Sequence, residues 1–355
     1  MLLFFLKFFI TNIVFSMILC SFLMRFNKNS NYSNSELILY SLGVGPAFTA
    51  LLLYYAFLIL PHHSNLFYLF LVVSVYFIIA ISGRKNIKHI KDILQSGLKK
   101  MFSFSGSLSS QVGHFIYLLI IIILTIVFLI VFFVYILPNA LLGHDVLNYA
   151  IAGTMLFDDK SLAPIWVKNF LNNGFLYKIR TAPSFSLLLT WEKLVNSIFH
   201  IKSDLYFRSI SSYYGLLIIG IHYYWVAKRS KWLGLLSTLI LLSSYGFLII
   251  FLIKHIDSYR IFFLVVSWIF LIYAIKDKTR FSILLFGIFL GLTVSIHRIG
   301  LVLGCMTSIV YFIMVDDHLK LRLINFSFII LLLLFFGGGH YILDLIEGQG
   351  RWFRR

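Results

Sequence analysis

Long apolar segments, separated by short polar ones, follow each other along the whole chain. Most are close to 20 residues long, the length that an α-helix needs to cross a hydrocarbon core about 30 Å thick. The pattern predicts an all-α integral membrane protein with about ten transmembrane helices. The predicted spans are residues 2–24, 38–60, 65–83, 115–138, 209–226, 233–252, 260–275, 281–296, 299–315 and 323–343.

The apolar segment 183–199 is an exception, because Glu192, Lys193 and Asn196 interrupt it. If it crossed the membrane, the basic loops near residues 228 and 276 would both lie outside, whereas Lys and Arg are preferentially retained on the cytoplasmic side. We therefore predict that this segment is a half-buried amphipathic helix in the outer interface.

Charge supports a membrane setting and argues against nucleic acid as a partner. Only 12% of the residues are charged, against roughly 25% in an average soluble domain. The 30 Lys and Arg residues give a net charge of +17, but they lie in short clusters between apolar spans. This distribution is typical of topology signals and of contact with anionic membrane lipids.

The organisation expected from these patterns has three parts. Residues 1–83 form a three-span membrane unit, residues 84–114 a basic cytoplasmic amphipathic linker, and residues 115–355 a transmembrane core with an outer loop at 139–208. The end of the sequence follows directly on the start of a new outer segment, which suggests a truncated chain. The expected location is a bacterial-type cytoplasmic (inner) membrane.

Three polar clusters stand at predicted outer ends of spans. The first contains His144, Asp145 and Tyr149, just outside the span that ends near Leu137. The plain interpretation is a solvated loop. The alternative is a segment along the interface that directs His144 and Asp145 at one place.

The second and third clusters lie between strongly apolar spans, where polar groups are costly and tend to be paired or functional. The second holds Lys254, His255, Asp257 and Arg260, and its plain interpretation is a solvated turn with Asp257 paired to Arg260. The third is the pair His297 and Arg298, which either extends to the headgroups or binds a lipid phosphate. The sequence contains no standard metal-ligand spacing, phosphate loop or nucleophile elbow.

The order of these elements resembles the GT-C superfamily of membrane glycosyltransferases, which includes protein O-mannosyltransferases and the lipid A aminoarabinose transferase. Asp145 with Tyr149 is similar to the acidic residue that this family places before a Tyr in its first outer loop. The family's Pro-containing motif, here with one Pro, and its following Arg are similar to 180–185 and Arg208.

Two later elements complete the resemblance, which covers roughly residues 115–343. Asp257 followed by Phe262-Phe263 is similar to a second outer acidic residue with paired aromatics. The run 287–300 resembles a Gly-Leu run that ends in a basic residue, a position taken here by His297-Arg298. Three more spans precede the matching region than in the family.

The resemblance implies transfer of a sugar from a polyprenyl-phosphate donor to a lipid, glycan or protein acceptor at the outer face. It implies Asp145 as general base and Asp257 as a second carboxylate that orients the acceptor or a divalent ion. Phosphate and substrate contacts are then expected from the remaining polar residues, namely His144, Tyr149, Arg180, Lys254, His255, Arg260, His297 and Arg298. The cofactor is left open, with a divalent metal ion as the alternative considered.

Two other functions are compatible with parts of the pattern. A polysaccharide polymerase of the O-antigen type also has about ten spans, and Arg260 with His297 can be assigned to it. A transporter or flippase is the other alternative, although transporters usually place polar residues and helix breaks near the bilayer midplane in repeated halves.

Overall fold

A computed structural model of the chain describes residues 2–27, 32–102, 108–138, 144–162, 170–172, 175–177, 183–200, 204–252 and 256–346. The described residues are almost entirely helical. The α-helices are α1 (Leu2–Phe8), α2 (Phe15–Leu23), α3 (Asn34–Ser41), α4 (Val44–Ile59), α5 (Asn65–Phe102), α6 (Leu108–Ile130), α7 (His144–Asp159), α8 (Pro183–Ile198), α9 (Leu205–Ala227), α10 (Lys231–Ser243), α11 (Tyr245–Leu252), α12 (Ile256–Asp277), α13 (Arg280–Ile296), α14 (Arg298–Met314), α15 (Leu319–Leu333) and α16 (Gly339–Ile346).

Wider π-helical turns connect or extend several of these helices. They join α1 to α2 (Phe9–Val14), extend α6 (Val131–Ile136) and join α15 to α16 (Leu334–Gly338). Between α7 and α8, strands β1 (Phe170–Asn172) and β2 (Phe175–Tyr177) form a short antiparallel hairpin. The predicted helical class is thus confirmed for the described part of the chain.

Five stretches of helix are long and apolar enough to cross a membrane: Phe4–Leu23, Asn65–Gly97, Phe115–Ile136, Ile256–Asp277 and Leu319–Leu343. A sixth is added if α3 and α4, which meet at a bend of 52°, count as one broken span. Helices α10, α13 and α14 are apolar but have only 13 to 17 residues. The membrane character of the chain is therefore supported, while the predicted number of ten spans is not confirmed.

Contacts between helix ends define two ends of the bundle. At one, which we call the Arg260 end, Arg260 of α12 lies beside His297 at the α13–α14 junction. At the other, the Lys278 end, Lys278 pairs with Asp317 just before α15 (3.4 Å). Helices α12 to α15 therefore run back and forth between these ends.

The N-terminal helices are packed into this bundle. Lys7 of α1 contacts Glu192 of α8 at 2.8 Å, and α4 and α5 also pack against α8. Gly43, before α4, touches the ring of Phe262 so closely that a Cβ there would overlap it. Phe262, one of the paired aromatics of the sequence motif, therefore has a packing role in the core.

Helix α5 continues without a break from an apolar segment into the basic stretch after Gly83. Sequence analysis placed the end of a span at residue 83 and a basic amphipathic linker at residues 84–114. Lys and Arg are good helix formers, so the change in polarity does not end the helix. Gly83 lies against Ser21 of α2, where a Cβ would overlap the Ser21 hydroxyl.

Helix α8 differs from the predicted half-buried interfacial helix, because every residue in its first half is buried. Helix α7 covers it at Gly153, where a Cβ would lie 2.5 Å from the Ser186 carbonyl oxygen. The polar residues Glu192 and Asn196 suggested a side facing water. Instead, both accept hydrogen bonds from Lys7, at 2.8 and 2.9 Å.

Candidate functional site

Asp257 and Arg260 occupy the first turns of α12 and form an ion pair of 2.5 Å. Residues three apart lie on the same helix face, which explains the pairing. It is also the pairing that the plain interpretation of this segment expects. The two side chains keep 27% and 19% of their surface exposed, so the pair is accessible at the Arg260 end.

His297 is held at the junction of α13 and α14 by its own backbone. Its extended conformation (φ −157°, ψ 148°) ends α13, and its Nδ1 accepts the amide of Ile299 at 3.1 Å, which caps α14. A guanidinium nitrogen of Arg260 lies 3.4 Å from the same Nδ1. Since both neighbours are donors, Nδ1 is the accepting nitrogen, and the neutral ring carries its proton on Nε2. Asp257, Arg260 and His297 thus form one row of contacts.

Arg298, the first residue of α14, is exposed next to this row. Tyr341 of α16 lies near both Arg298 and Tyr149 of α7. The Tyr341 hydroxyl also donates to the carbonyl of Val294 at 3.2 Å. Helix α16 therefore connects the α13–α14 junction with the start of α7.

Aromatic contacts connect α7, α8 and α12 at the same end. Tyr149 meets Phe185 edge-on, with ring centroids 5.5 Å apart, and Phe185 lies 6.1 Å from the ring of Tyr259. The hydroxyls of Ser184 and Tyr259 are 2.9 Å apart. Each aromatic pair contributes roughly 0.5–1.5 kcal/mol beyond the burial of its surface. These contacts fix the relative positions of the three helices.

The structure locates the other predicted site residues only in part. Arg180, Lys254 and His255 lie outside the described residues. Helix α7 begins at His144, so the backbone of Asp145 lies in its first turn, about one turn before Tyr149. The described members of the three clusters that lie at the Arg260 end are Tyr149, Asp257, Arg260, His297 and Arg298.

An apolar cleft adjoins this site between α4, the start of α8 and the π-helical turn Leu334–Gly338. Ser184 and Ser295 contribute to its wall, and Tyr55 stacks on Phe335 with ring centroids 5.2 Å apart. The cleft encloses about 20 Å³, room for about one water molecule. It is closed to a sugar in this conformation, although π-helical turns are frequent at functional sites.

No group of three His, Cys, Asp or Glu side chains among the described residues converges on a point that a metal ion could occupy. A polar pocket at the Arg260 end includes His62, His63, Asp158 and Asp159. His62 uses its Nδ1 to contact the Asp159 backbone carbonyl oxygen (2.8 Å). The hydrogen-bond contact between His62 and Asp159 therefore joins the α4–α5 turn to the end of α7.

Comparison with known proteins does not assign the chain to a family. No protein family, no curated protein and no solved structure matches it. The resemblance to the GT-C superfamily therefore depends on the sequence motifs quoted above.

Sequence analysis did not identify two residues that join helices of the bundle, Tyr341 of α16 and Lys7 of α1. Tyr341 follows the run Gly337 to Gly339, and such a run is a signal of close backbone approach: a Cβ on Gly337 would lie 2.4 Å or less from backbone atoms of Gly291 and Ser295. Lys7 could have been recognised because it is the only charged residue in the first predicted span, where a charge needs a buried partner.

Proposed function

We propose that the chain is a membrane glycosyltransferase, which moves a sugar from a polyprenyl-phosphate donor to an acceptor at the outer face. The observation that carries the proposal is the contact row Asp257, Arg260 and His297, next to Arg298 and to the helix that holds Asp145. These residues belong to α12, to the α13–α14 junction and to α7, and they lie at one end of the bundle. Two cations near an accessible carboxylate suit a phosphate leaving group.

The proposal includes a ten-span, multi-pass arrangement in a bacterial-type inner membrane with a GT-C-like fold. In it the Lys278 end faces the cytoplasm, because basic loops gather there. They are the loops around Arg84, Lys228, Lys278 and Arg322. The Arg260 end then faces outward, where a sugar delivered on a lipid is presented.

The reaction we infer is a single displacement at the anomeric carbon. The acceptor hydroxyl oxygen forms the new bond to that carbon and loses its proton to Asp145, the proposed general base. The bond between the anomeric carbon and the phosphate oxygen breaks, and the polyprenyl phosphate leaves with the electron pair. Arg260 and Arg298 neutralise the charge that develops on this phosphate. Asp257 positions Arg260 through their ion pair.

A transfer assay tests this proposal. The full chain is placed in lipid nanodiscs with a radiolabelled polyprenyl-phosphate sugar, and label leaving the donor is measured. Asp145→Asn should lower the rate by about 10²–10⁴-fold, which is the usual contribution of a general base. Asp204→Asn is a matched control, since Asp204 pairs with Arg208 at the same end (2.8 Å) outside the proposed machinery. Near-normal activity of Asp145→Asn would contradict the assignment.

A polysaccharide polymerase is the second candidate, because the 3.4 Å contact between Arg260 and His297 joins the two residues that this function would use. A polymerase extends a glycan that is already assembled on polyprenyl diphosphate. Chain growth on that substrate, without any reaction of the monophosphate-linked sugar, would favour this candidate over the transferase.

A further inference from the structure

A large apolar groove opens at the Lys278 end, on the opposite side of the bundle from the candidate site. It lies between the turn after α2, the start of α13 and the start of α15, and its volume is about 780 Å³. This is within the range of about 300–1,000 Å³ that is usual for small-molecule sites. Its apolar lining includes Phe26, Phe281, Leu284, Ile324 and Phe328.

The groove follows from how α13 and α15 meet. Helix α13 contacts α15 at Gly287 and the following π-helical turn at Gly291, where an added Cβ would lie 2.5 Å from Leu332 Cδ1 and 2.6 Å from Phe336 Cβ, respectively. Toward the Lys278 end, α13 has Phe281 and Leu284 in place of glycine, and both side chains line the groove. The helices therefore leave a wedge between them that opens at the end of the bundle.

The walls of this groove are exposed although they are apolar. Phe26 keeps 51% of its surface accessible, Ile324 keeps 54% and Phe328 keeps 39%. Adjacent exposed apolar groups of this kind mark an interaction surface in a soluble protein and a lipid contact in a membrane protein. Because this groove lies in a chain with several membrane-length helices, a lipid chain is the partner that matches its walls.

The rim of the groove adds a positive charge. Arg280 lines the groove and is exposed at the start of α13. Two neighbouring cations are engaged elsewhere: Lys278 pairs with Asp317 (3.4 Å), and Arg322 donates to the Asp317 carbonyl oxygen (2.7 Å). Among the described residues, no carboxylate forms an ion pair with Arg280.

We propose that this groove binds one anionic phospholipid of the leaflet at the Lys278 end. Its phosphate is held by Arg280 and its acyl chain lies against Ile324 and Phe328. An anionic lipid fits better than a second copy of the chain, because the net charge of +17 makes two copies repel each other at a basic end. Each basic residue near a membrane surface raises the affinity for anionic lipid about fivefold.

Lipid retention measured by native mass spectrometry tests this proposal. The full chain is taken from nanodiscs of phosphatidylcholine containing phosphatidylglycerol. We expect one phosphatidylglycerol to remain bound after detergent release. Arg280→Gln should weaken this retention about fivefold, and its matched control is Lys276→Gln, an exposed charge outside the groove. Ile324→Trp should obstruct the wall of the groove against which the acyl chain lies and lower retention, whereas Leu323→Trp changes an exposed neighbour that does not line the groove.

The outcomes distinguish an anionic phospholipid from a neutral phospholipid and from a second copy of the chain. Selective loss of phosphatidylglycerol in Arg280→Gln and Ile324→Trp, with both controls unchanged, supports the site. Equal retention of phosphatidylcholine overturns the anionic assignment. Unchanged retention in Ile324→Trp overturns the location. A dimer that Ile324→Trp dissociates, with no bound lipid, would show that a second copy occupies the groove.

Discussion

Two ion pairs in the described structure, Lys7 with Glu192 and Asp257 with Arg260, differ in how they are enclosed. Lys7 and Glu192 have side chains exposed by only 5% and 0%, and they join helices 185 positions apart in the sequence. Asp257 and Arg260 are exposed by 27% and 19% and lie on one helix. The first pair is enclosed inside the bundle, and the second is partly exposed at the Arg260 end.

The hydrogen bonds of the two carboxylates show what this difference means. Glu192 accepts the backbone amides of Tyr206 and Phe207, at 3.0 and 2.9 Å, in addition to Lys7. Its oxygens are thus engaged by the protein itself. Such a buried pair has a structural role, while a partly exposed pair next to other polar groups can still bind a ligand. We therefore assign the buried pair to stability, and the exposed pair is the one that the proposed function uses.

The largest expected effect comes from removing one partner of the buried pair. Lys7→Met leaves the Glu192 carboxylate without its counter-ion, which should lower the free energy of unfolding by about 3–5 kcal/mol. The free energy of unfolding is measured by denaturation in mixed micelles. Asp204→Asn is the control, since its side chain and that of its partner Arg208 are exposed by 40% and 21%, and loss of this pair should cost about 1 kcal/mol or less. Equal losses for Lys7→Met and Asp204→Asn would remove the distinction between the pairs.

Arg260→Gln should act on activity and leave stability nearly unchanged. Loss of one donor to a developing charge typically lowers the catalytic rate by about 10²–10³-fold. Because the pair with Asp257 is partly exposed, unfolding should change by about 1 kcal/mol or less. The catalytic rate is measured by the transfer assay, and the free energy of unfolding is measured on the same preparation. A large stability loss with normal transfer would give this pair the structural role instead.

Gly153→Ala tests whether close packing between α7 and α8 contributes to the stability of the bundle. The new Cβ would lie 2.5 Å from the Ser186 carbonyl oxygen, and such overpacking costs about 1–3 kcal/mol. Gly220→Ala is the matched control, because its nearest neighbour there is Leu39 Cδ1 at 3.7 Å. The control should be neutral or stabilising, since Ala favours helix. Thermal unfolding compares the two variants, and a stabilised Gly153→Ala would contradict the close packing.

The smallest expected effect concerns the helix cap at His297. His297→Ala removes the acceptor of the Ile299 amide and should cost about 1 kcal/mol. His297→Asn restores a good capping residue and should recover that stability, because Asn is among the preferred residues at this position. If transfer stays low in His297→Asn, the imidazole contributes to the site beyond the cap. Recovery of both properties would limit its role to capping.

Local pattern was a good guide to the elements of this chain and a poor guide to their burial. Apolar length predicted helices such as α12, and sequence neighbours predicted the pair of Asp257 with Arg260. The same rules failed for α8, because Glu192 is matched by Lys7 from a helix 185 positions away. Periodicity describes one helix face and carries no information about the distant partner that covers it.

The candidate site could be predicted in its composition and in its placement at helix ends. The contact between Arg260 and His297 could not, since it depends on how α12 packs against the α13–α14 junction. Tyr341 was missed for the same reason: its nearness to Tyr149 and Arg298 follows from the return of α16 across the bundle.

Accessibility mapping with single cysteines tests the central claim most directly, which is that one outward-facing site unites the three clusters. Asp145→Cys, Asp257→Cys and Arg298→Cys are made in a background that lacks Cys20 and Cys305, together with Arg280→Cys from the Lys278 end. We predict that a membrane-impermeant reagent added outside intact cells labels the first three, and that Arg280→Cys reacts only after the membrane is opened. Labelling of Asp145→Cys and Asp257→Cys from opposite sides would contradict the shared site and favour a transporter.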